Sequence, residues 1–148
     1  MKRLAVEIAA AEPRVDVLIN NAGAMFSTRH VTEDNLELTF ALNHMAYFVL
    51  TNGLRDRLMA SAPARVVNTA SNAHEGRPLD FEDLQLTRAY SEKGAETLVY
   101  LASSPQAAGC SGEYFYEYRP TVPSAEALDD GAAALLWTES AKLAGFEM

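Results

Sequence analysis

Val15-Asp16-Val17-Leu18-Ile19-Asn20-Asn21-Ala22-Gly23 is the stretch whose reading decides the fold. A short apolar run, rich in branched residues, stops abruptly at two asparagines and a pair of small residues. Apolar character that is continuous rather than alternating marks a strand covered on both faces, and such strands belong mostly to parallel sheets. The run is expected to be a central strand.

Upstream of it, Leu4, Ala5, Ile8 and Ala11 share one face of a short helix that Pro13 ends. Downstream, a turn-rich passage leads to Thr32, an expected N-cap, followed by Glu33 and Asp34 where the helix dipole favours negative charge. Leu36, Phe40, Asn43, Tyr47, Leu50 and Leu54 then recur at alternating spacings of four and three, a buried helical stripe with one polar member, Asn43. Asn52-Gly53 is placed to bend or interrupt this helix, which is expected to run on to about Met59. Arg65-Val66-Val67-Asn68-Thr69-Ala70-Ser71 is a second branched run, closed by Ser71 and a loop containing Gly76 and Pro78. The order helix, strand, helix, strand implies a right-handed crossover with both strands parallel in one sheet.

Ser91 can cap a further helix with Ala95, Leu98, Val99 and Ala102 on one face. Gly112-Glu113-Tyr114-Phe115-Tyr116-Glu117-Tyr118 has aromatics on both faces and reads as a third strand. Ser124 is expected to start a last helix carrying Leu128, Ala132, Leu135 and Trp137 to its end at Gly145. The fold class is therefore α/β, a parallel sheet of about three strands flanked by helices, in a single domain over residues 1–148.

Composition narrows the possible partners. Twelve basic against 20 acidic side chains give a formal charge of -8 and a pI near 4.8, a balance that repels phosphate backbones and anionic lipid. Nucleic acid and membrane surfaces are not expected partners. Cys110 is the single cysteine, so no internal disulfide can form, and no Cys and His residues stand at metal-ligand spacing. No metal site is expected, and a reducing compartment, the cytoplasm, fits. Met1 to Arg3 is basic, but the apolar run behind it is cut by Glu7 and reaches Pro13 without the hydrophobic region of a signal peptide. No apolar run approaches the ~18 residues of a membrane span.

Tyr90 and Lys93 have the look of a catalytic tyrosine and its lysine, and residues three apart can share a helix face. Local signals separate them. With Ser91 as N-cap, Tyr90 lies outside the helix while Lys93 sits in its first turn, and Gly94 weakens the segment further. A surface tyrosine and a solvated lysine are expected.

Residues Asp16 to Ala24, D-V-L-I-N-N-A-G-A, resemble the N-N-A-G signature of the short-chain dehydrogenase/reductase family. Asn43, in F-A-L-N-H-M-A-Y-F-V-L-T, matches the helix asparagine of that family, and Ser71, in R-V-V-N-T-A-S-N-A-H, matches its catalytic serine. The segments D-F-E-D-L-Q-L and G-A-E-T-L-V-Y-L-A-S-S-P-Q-A-A-G-C-S-G-E-Y-F-Y-E-Y-R-P are similar to the tail of the retinol-dehydrogenase-like branch, so the resemblance reaches nearly the whole chain. It implies a Rossmann-like fold, here truncated. The family opens with a strand and a T-G-x-x-x-G-x-G turn that approaches the cofactor pyrophosphate, whereas this sequence starts just before the N-N-A-G strand. The family also carries Y-x-x-x-K on a long helix after the serine. Here Arg88-Ala89-Tyr90-Ser91 runs directly into Ser91-Glu92-Lys93-Gly94, so by the resemblance Tyr90 is a non-catalytic tyrosine and Lys93 belongs to the tail.

By the same resemblance the ancestral reaction moves a hydride between NADP or NAD and a carbonyl or alcohol carbon, with a tyrosine as proton donor and a lysine lowering its pKa. Ser71 would hold the substrate oxygen, and Asn43 would support a proton-relaying water. Asn21 is implied to touch the cofactor ribose, Asn20 to tie neighbouring strands together, and Gly23 to complete the motif. These five residues are remnants of a site. On their own terms, Ser71 is a common kind of turn former at a strand end, Asn20 and Asn21 can cap a strand and turn with Gly23, and a buried Asn43 requires hydrogen-bond partners. His30, His44 and His74 are read as surface or loop residues. The chain is expected to be a pseudoenzyme with inefficient cofactor binding. Other readings are a non-catalytic interaction protein and a product of faulty gene assembly. The interaction protein would associate with itself or with a full-length relative through an exposed sheet edge or the Leu36 to Met59 helix.

Overall fold

The structure, a computed structural model, describes residues 1–70, 81, 101, 104–107 and 109–146. Ser71, His74, Tyr90, Lys93 and the helix expected from Ser91 lie outside the described residues. The chain forms two compact units: Met1–Asn21, Val49–Ala70 and the described part of Gly94–Val122 make the first, and Ala22–Phe48 with the described parts of Ser71–Lys93 and Pro123–Met148 make the second.

The first unit is built on α1 (Lys2–Ala11), β1 (Val17–Asn20) and β2 (Arg65–Asn68). The two strands pair in parallel with Val17 beside Arg65 and Asn20 beside Asn68, the arrangement that a helical crossover between them demands. The backbone N–H of Arg65 donates to Asp16 O and that of Thr69 to Asn20 O, extending the ladder at both ends. Burial within β1 alternates: Leu18 and Asn20 are buried, whereas Val17 and Ile19 are 39% and 45% exposed. The expectation of a strand covered on both faces is thus corrected. Continuous apolar sequence arises here because paired residues take opposite roles, Ile19 exposed beside buried Val67 and Leu18 buried beside exposed Val66.

The core of this unit is Ala5, Leu18, Leu54 and Leu58, with Ile8, Ala9, Val15, Leu50 and Ala64 packed against it. The face α1 buries is therefore Ala5, Ile8 and Ala9; Leu4 and Ala11 are exposed. Ala5 is buried because α1 lies against α3 (Ala46–Gly53) at a glycine: a Cβ on Gly53 would stand 2.6 Å from the Ala5 Cβ. The helix breaks at Leu54, directly after Asn52-Gly53, and resumes as α4 (Arg55–Ala60). Arg57 of α4 satisfies the end of α1, its guanidinium donating to Ala9 O at 2.6 Å and Pro13 O at 3.2 Å. Ser61, 1% exposed, accepts from the Val15 N–H through Oγ and donates to Arg57 O.

The aromatic segment expected to be a third sheet strand folds on itself instead. Phe115–Tyr116 (β3) pairs antiparallel with Arg119–Pro120 (β4), and the Thr121 N–H donates to Tyr114 O at 2.8 Å. Glu117 and Tyr118 both have positive φ, 45° and 67°, as a two-residue hairpin turn requires. Among the described residues the parallel sheet has two strands. The Arg65 guanidinium holds the tail by donating to Leu101 O and Ser104 O, both at 3.1 Å.

In the second unit Thr32 closes a turn rather than capping a helix: its Oγ1 accepts from the Leu36 N–H, Asn35 adopts a φ of 59°, and Val31 bridges to Glu37. The cap is Glu37, whose carboxylate accepts from the Thr39 and Phe40 N–H groups at 2.8 Å each. This opens α2 (Leu38–Phe40), which runs into a π-helical turn, Ala41–Met45, closed by an Ala46 N–H to Ala41 O bond. The inserted residue rotates the following helix by about 100°. The stripe of alternating three and four consequently holds only at its ends: Leu36 and Leu54 are buried, whereas Phe40, Asn43, Tyr47 and Leu50 are half-buried while Met45, Phe48 and Val49 are buried.

The last helix, α5 (Asp130–Ala144), is capped by Asp129, which accepts from the Ala132 N–H at 2.9 Å; Ser124 begins only the short turn before it. Gly145 ends α5 at a φ of 61°, the left-handed stop that glycine adopts without strain. Its buried face is Ser140, Ala141 and Ala144; Leu135 and Trp137 of the expected face are exposed.

Gly53→Ala is expected to lower stability by about 1–3 kcal/mol in urea denaturation, because overpacking at the Ala5 contact outweighs alanine's helical advantage. The exchange Ala5→Gly with Gly53→Ala should recover most of that loss. Additive losses in the double variant would exclude the close approach as the reason for glycine.

Candidate functional site

The asparagines at the end of β1 have different surroundings. Asn20 is 3% exposed, and its amide nitrogen donates to Thr51 Oγ1 at 3.0 Å and Asn68 Oδ1 at 2.7 Å. Both of its hydrogens are thereby used. Asn20 ties β1 to β2 and to α3. Asn21 is exposed, and its Oδ1 accepts from Thr69 Oγ1 at 2.9 Å, while its side-chain nitrogen has no partner among the described residues. These two residues stand at the carboxyl ends of parallel strands, where α/β sheets hold their ligands.

In the second unit Gly23 is exposed in an irregular segment, and it is not among the glycines with positive φ, Gly112 and Gly145. Asn43 lies inside the π-helical turn and clasps the backbone of Ala24 in both directions. The Ala24 N–H donates to Asn43 Oδ1, and Asn43 Nδ2 donates to Ala24 O, each at 3.0 Å. The half-buried amide thus finds its partners in the segment that follows the N-N-A-G motif. Rare π-turns of this kind occur disproportionately at functional sites.

His44, next in sequence, is not the surface residue expected. Its ring stacks on Phe40 with centroids 5.1 Å apart and on Phe48 at 6.3 Å, and its Nε2 lies 2.7 Å from Oγ of fully buried Ser140. Phe48 in turn meets Trp137 edge-on at 4.9 Å and Phe146 at 6.2 Å. Burial among these apolar rings pushes the His44 pKa down by disfavouring the charged form. His30 is exposed and bonds Thr28 at 2.9 Å.

Sequence reasoning missed Asn68, although a signal existed. Asn20 and Asn68 each follow the apolar core of a branched run, so parallel strands in register set them side by side. Thr51 and Ser140 carried no such signal: each is an ordinary hydroxyl residue on a helix. Among the described residues no group of three His, Cys, Asp or Glu can hold a metal, and no helix is long and apolar enough to cross a membrane.

A family model described as short chain dehydrogenase matches residues 1–79. Retinol dehydrogenase 13 of Homo sapiens is 30% identical over 217 residues, covering 99% of this chain and 66% of that protein. Retinol dehydrogenase 12 of Homo sapiens is 45% identical over 82 residues, 55% of this chain and 26% of that protein. A crystal structure of an uncharacterized protein from Mycobacterium paratuberculosis matches with a TM-score of 0.70 at 23% identity, over 99% of this chain and 73% of that one, and thus shares the fold. The chain spans less than two thirds of the length of the curated relatives it matches. The first alignment extends over 217 residues against a chain of 148, so that relative carries residues within the matched span that have no counterpart here.

The depressed His44 pKa sets a sign for acid sensitivity. As pH falls below about 6.5 the unfolded chain takes up the proton first, so stability is complete above that value and declines toward the lower folded pKa. Urea midpoints between pH 7.5 and 5 should therefore fall more steeply for the natural chain than for His44→Phe. Equal slopes would show that His44 is not held neutral by the fold.

Proposed function

The chain belongs to the short-chain dehydrogenase family, a lineage of NAD(P)-dependent oxidoreductases, and from that premise we propose a member with little or no turnover of its own. Its ancestral reaction interconverts a carbonyl and an alcohol. The observation that carries the proposal is internal to the sequence: none of the six tyrosines has a lysine four positions on, since the lysines are Lys2, Lys93 and Lys142. The family's proton donor and the cation that tunes it are thus missing as a pair. Losing a positioned general acid costs about 10² to 10⁴ in rate.

The nucleotide fits the described residues only in part. Asn21 offers an exposed side-chain nitrogen at the strand ends, as a ribose contact requires. Asn20 is buried and fully engaged, so its role is to join strands. No two glycines stand two positions apart anywhere in the 148 residues, so the sequence at hand has no glycine pair for a close backbone approach to a pyrophosphate. One asparagine does not make a nucleotide site, and no hydride step is assigned to this chain alone. Asn43 and Ser71 are proposed to keep the positions of the ancestral relay and substrate contact.

A second reading, a non-catalytic partner of itself or of a full-length relative, is favoured by the exposed Val17, Ile19 and Val66 on the two paired strands. Among the described residues β1 and β2 have no further partner strand, and exposed apolar residues at a sheet edge are a template for pairing with another chain.

Titration of the purified chain with NADPH and NADH, followed by nicotinamide fluorescence with circular dichroism confirming the fold, tests the proposal. No saturation at micromolar nucleotide is expected. Saturable binding to either nucleotide, with turnover of a carbonyl substrate, would overturn it.

A further inference from the structure

Asn43 and His44 are adjacent in the π-helical turn, and each is tied to a different neighbour: Asn43 to the Ala24 backbone, His44 to Ser140 of α5. A π-turn is an α-helix with one residue too many, rare in helices and frequent at functional sites. Relaxing it to α geometry rotates one flank against the other by about 100°. Two neighbouring side chains cannot both keep their partners through such a rotation. Relaxation to α geometry therefore requires that at least one of the two ties be lost.

We propose that His44 is a positioning residue for Asn43, and that the His44–Ser140 contact is a latch whose opening frees Asn43 from the Ala24 backbone. The inference rests on the reading of Asn43 as part of the candidate site. What can open the latch is charge on the imidazole. Among the described residues, the groups in contact with the ring are Phe40 and Phe48 on its own helix and Ser140 on α5, none of them ionic. Glu37, seven residues before His44, has its carboxylate on the Thr39 and Phe40 N–H groups. Glu139 and Lys142, which flank Ser140 in sequence, pair with each other at 2.6 Å on the exposed side of α5. Among the described residues no carboxylate is in contact with the ring, and burial is the cause acting on its pKa. Protonation then favours a ring that has left its place between Phe40, Phe48 and Ser140.

The test follows the Asn43 side-chain amide and the His44 ring by NMR in the full chain from pH 8 to 5, with Asn43→Asp identifying the amide signals. The expected result is a shift of the Asn43 amide with the same midpoint as His44. In Ser140→Ala the shared midpoint should be lost. In His44→Gln, which can still bond Ser140 but does not titrate, the Asn43 signals should stay constant throughout. A His44 titration that leaves Asn43 unmoved in the natural chain overturns the proposal, as does an Asn43 shift that survives His44→Gln and so belongs to His30 or another group. The readout needs no nucleotide, so its failure is distinct from failure of the cofactor titration.

Discussion

One buried amide group sets the geometry of the first unit. The Asn20 side chain donates both hydrogens, one to the helix at Thr51 and one to the neighbouring strand at Asn68. A buried polar group is tolerated only when satisfied, so these three elements must meet at one point or bear the cost of an orphaned donor. Slipping β2 by one residue would put its whole set of side chains on the opposite face and take Asn68 out of reach. The register that aligns Leu18 with Val66 is therefore fixed by a polar contact as well as by apolar packing.

Much of the first unit was legible in the sequence because its signals are local. Branched runs ended by asparagine gave two strands, Pro13 ended a helix, and Asn52-Gly53 marked the break at Leu54. Exposure of Val17 and Ile19 was not legible, since a sequence does not say which faces its neighbours will cover. The second unit departed further. The stripe through Phe40, Asn43 and Tyr47 follows a period of 3.6, and a single inserted residue at Ala41–Met45 breaks that period without any proline or glycine to announce it. Thr32 and Ser124 are good capping residues by type, but Glu37 and Asp129 lie nearer the helices and take the N–H groups.

The candidate site divides along the same line. Motif matching found Asn20, Asn21 and Asn43, and the structure assigns them unlike tasks: a buried brace, a half-engaged surface group and a clasp on the backbone. The His44 contact was invisible in the sequence because its partner, Ser140, lies 96 positions away. Contacts of that range come from packing, which sequence periodicity does not encode.

The same long reach appears at the other end of the chain, where it governs the order of assembly. Arg57 closes α1 from 48 positions downstream, and Ser61 takes the Val15 N–H across 46. A nascent chain growing at about 5–20 residues per second therefore waits roughly 2–10 s between making α1 and making the residues that hold it. A helix of ten residues is marginal alone, so α1 depends for its stability on residues made 46 to 48 positions later.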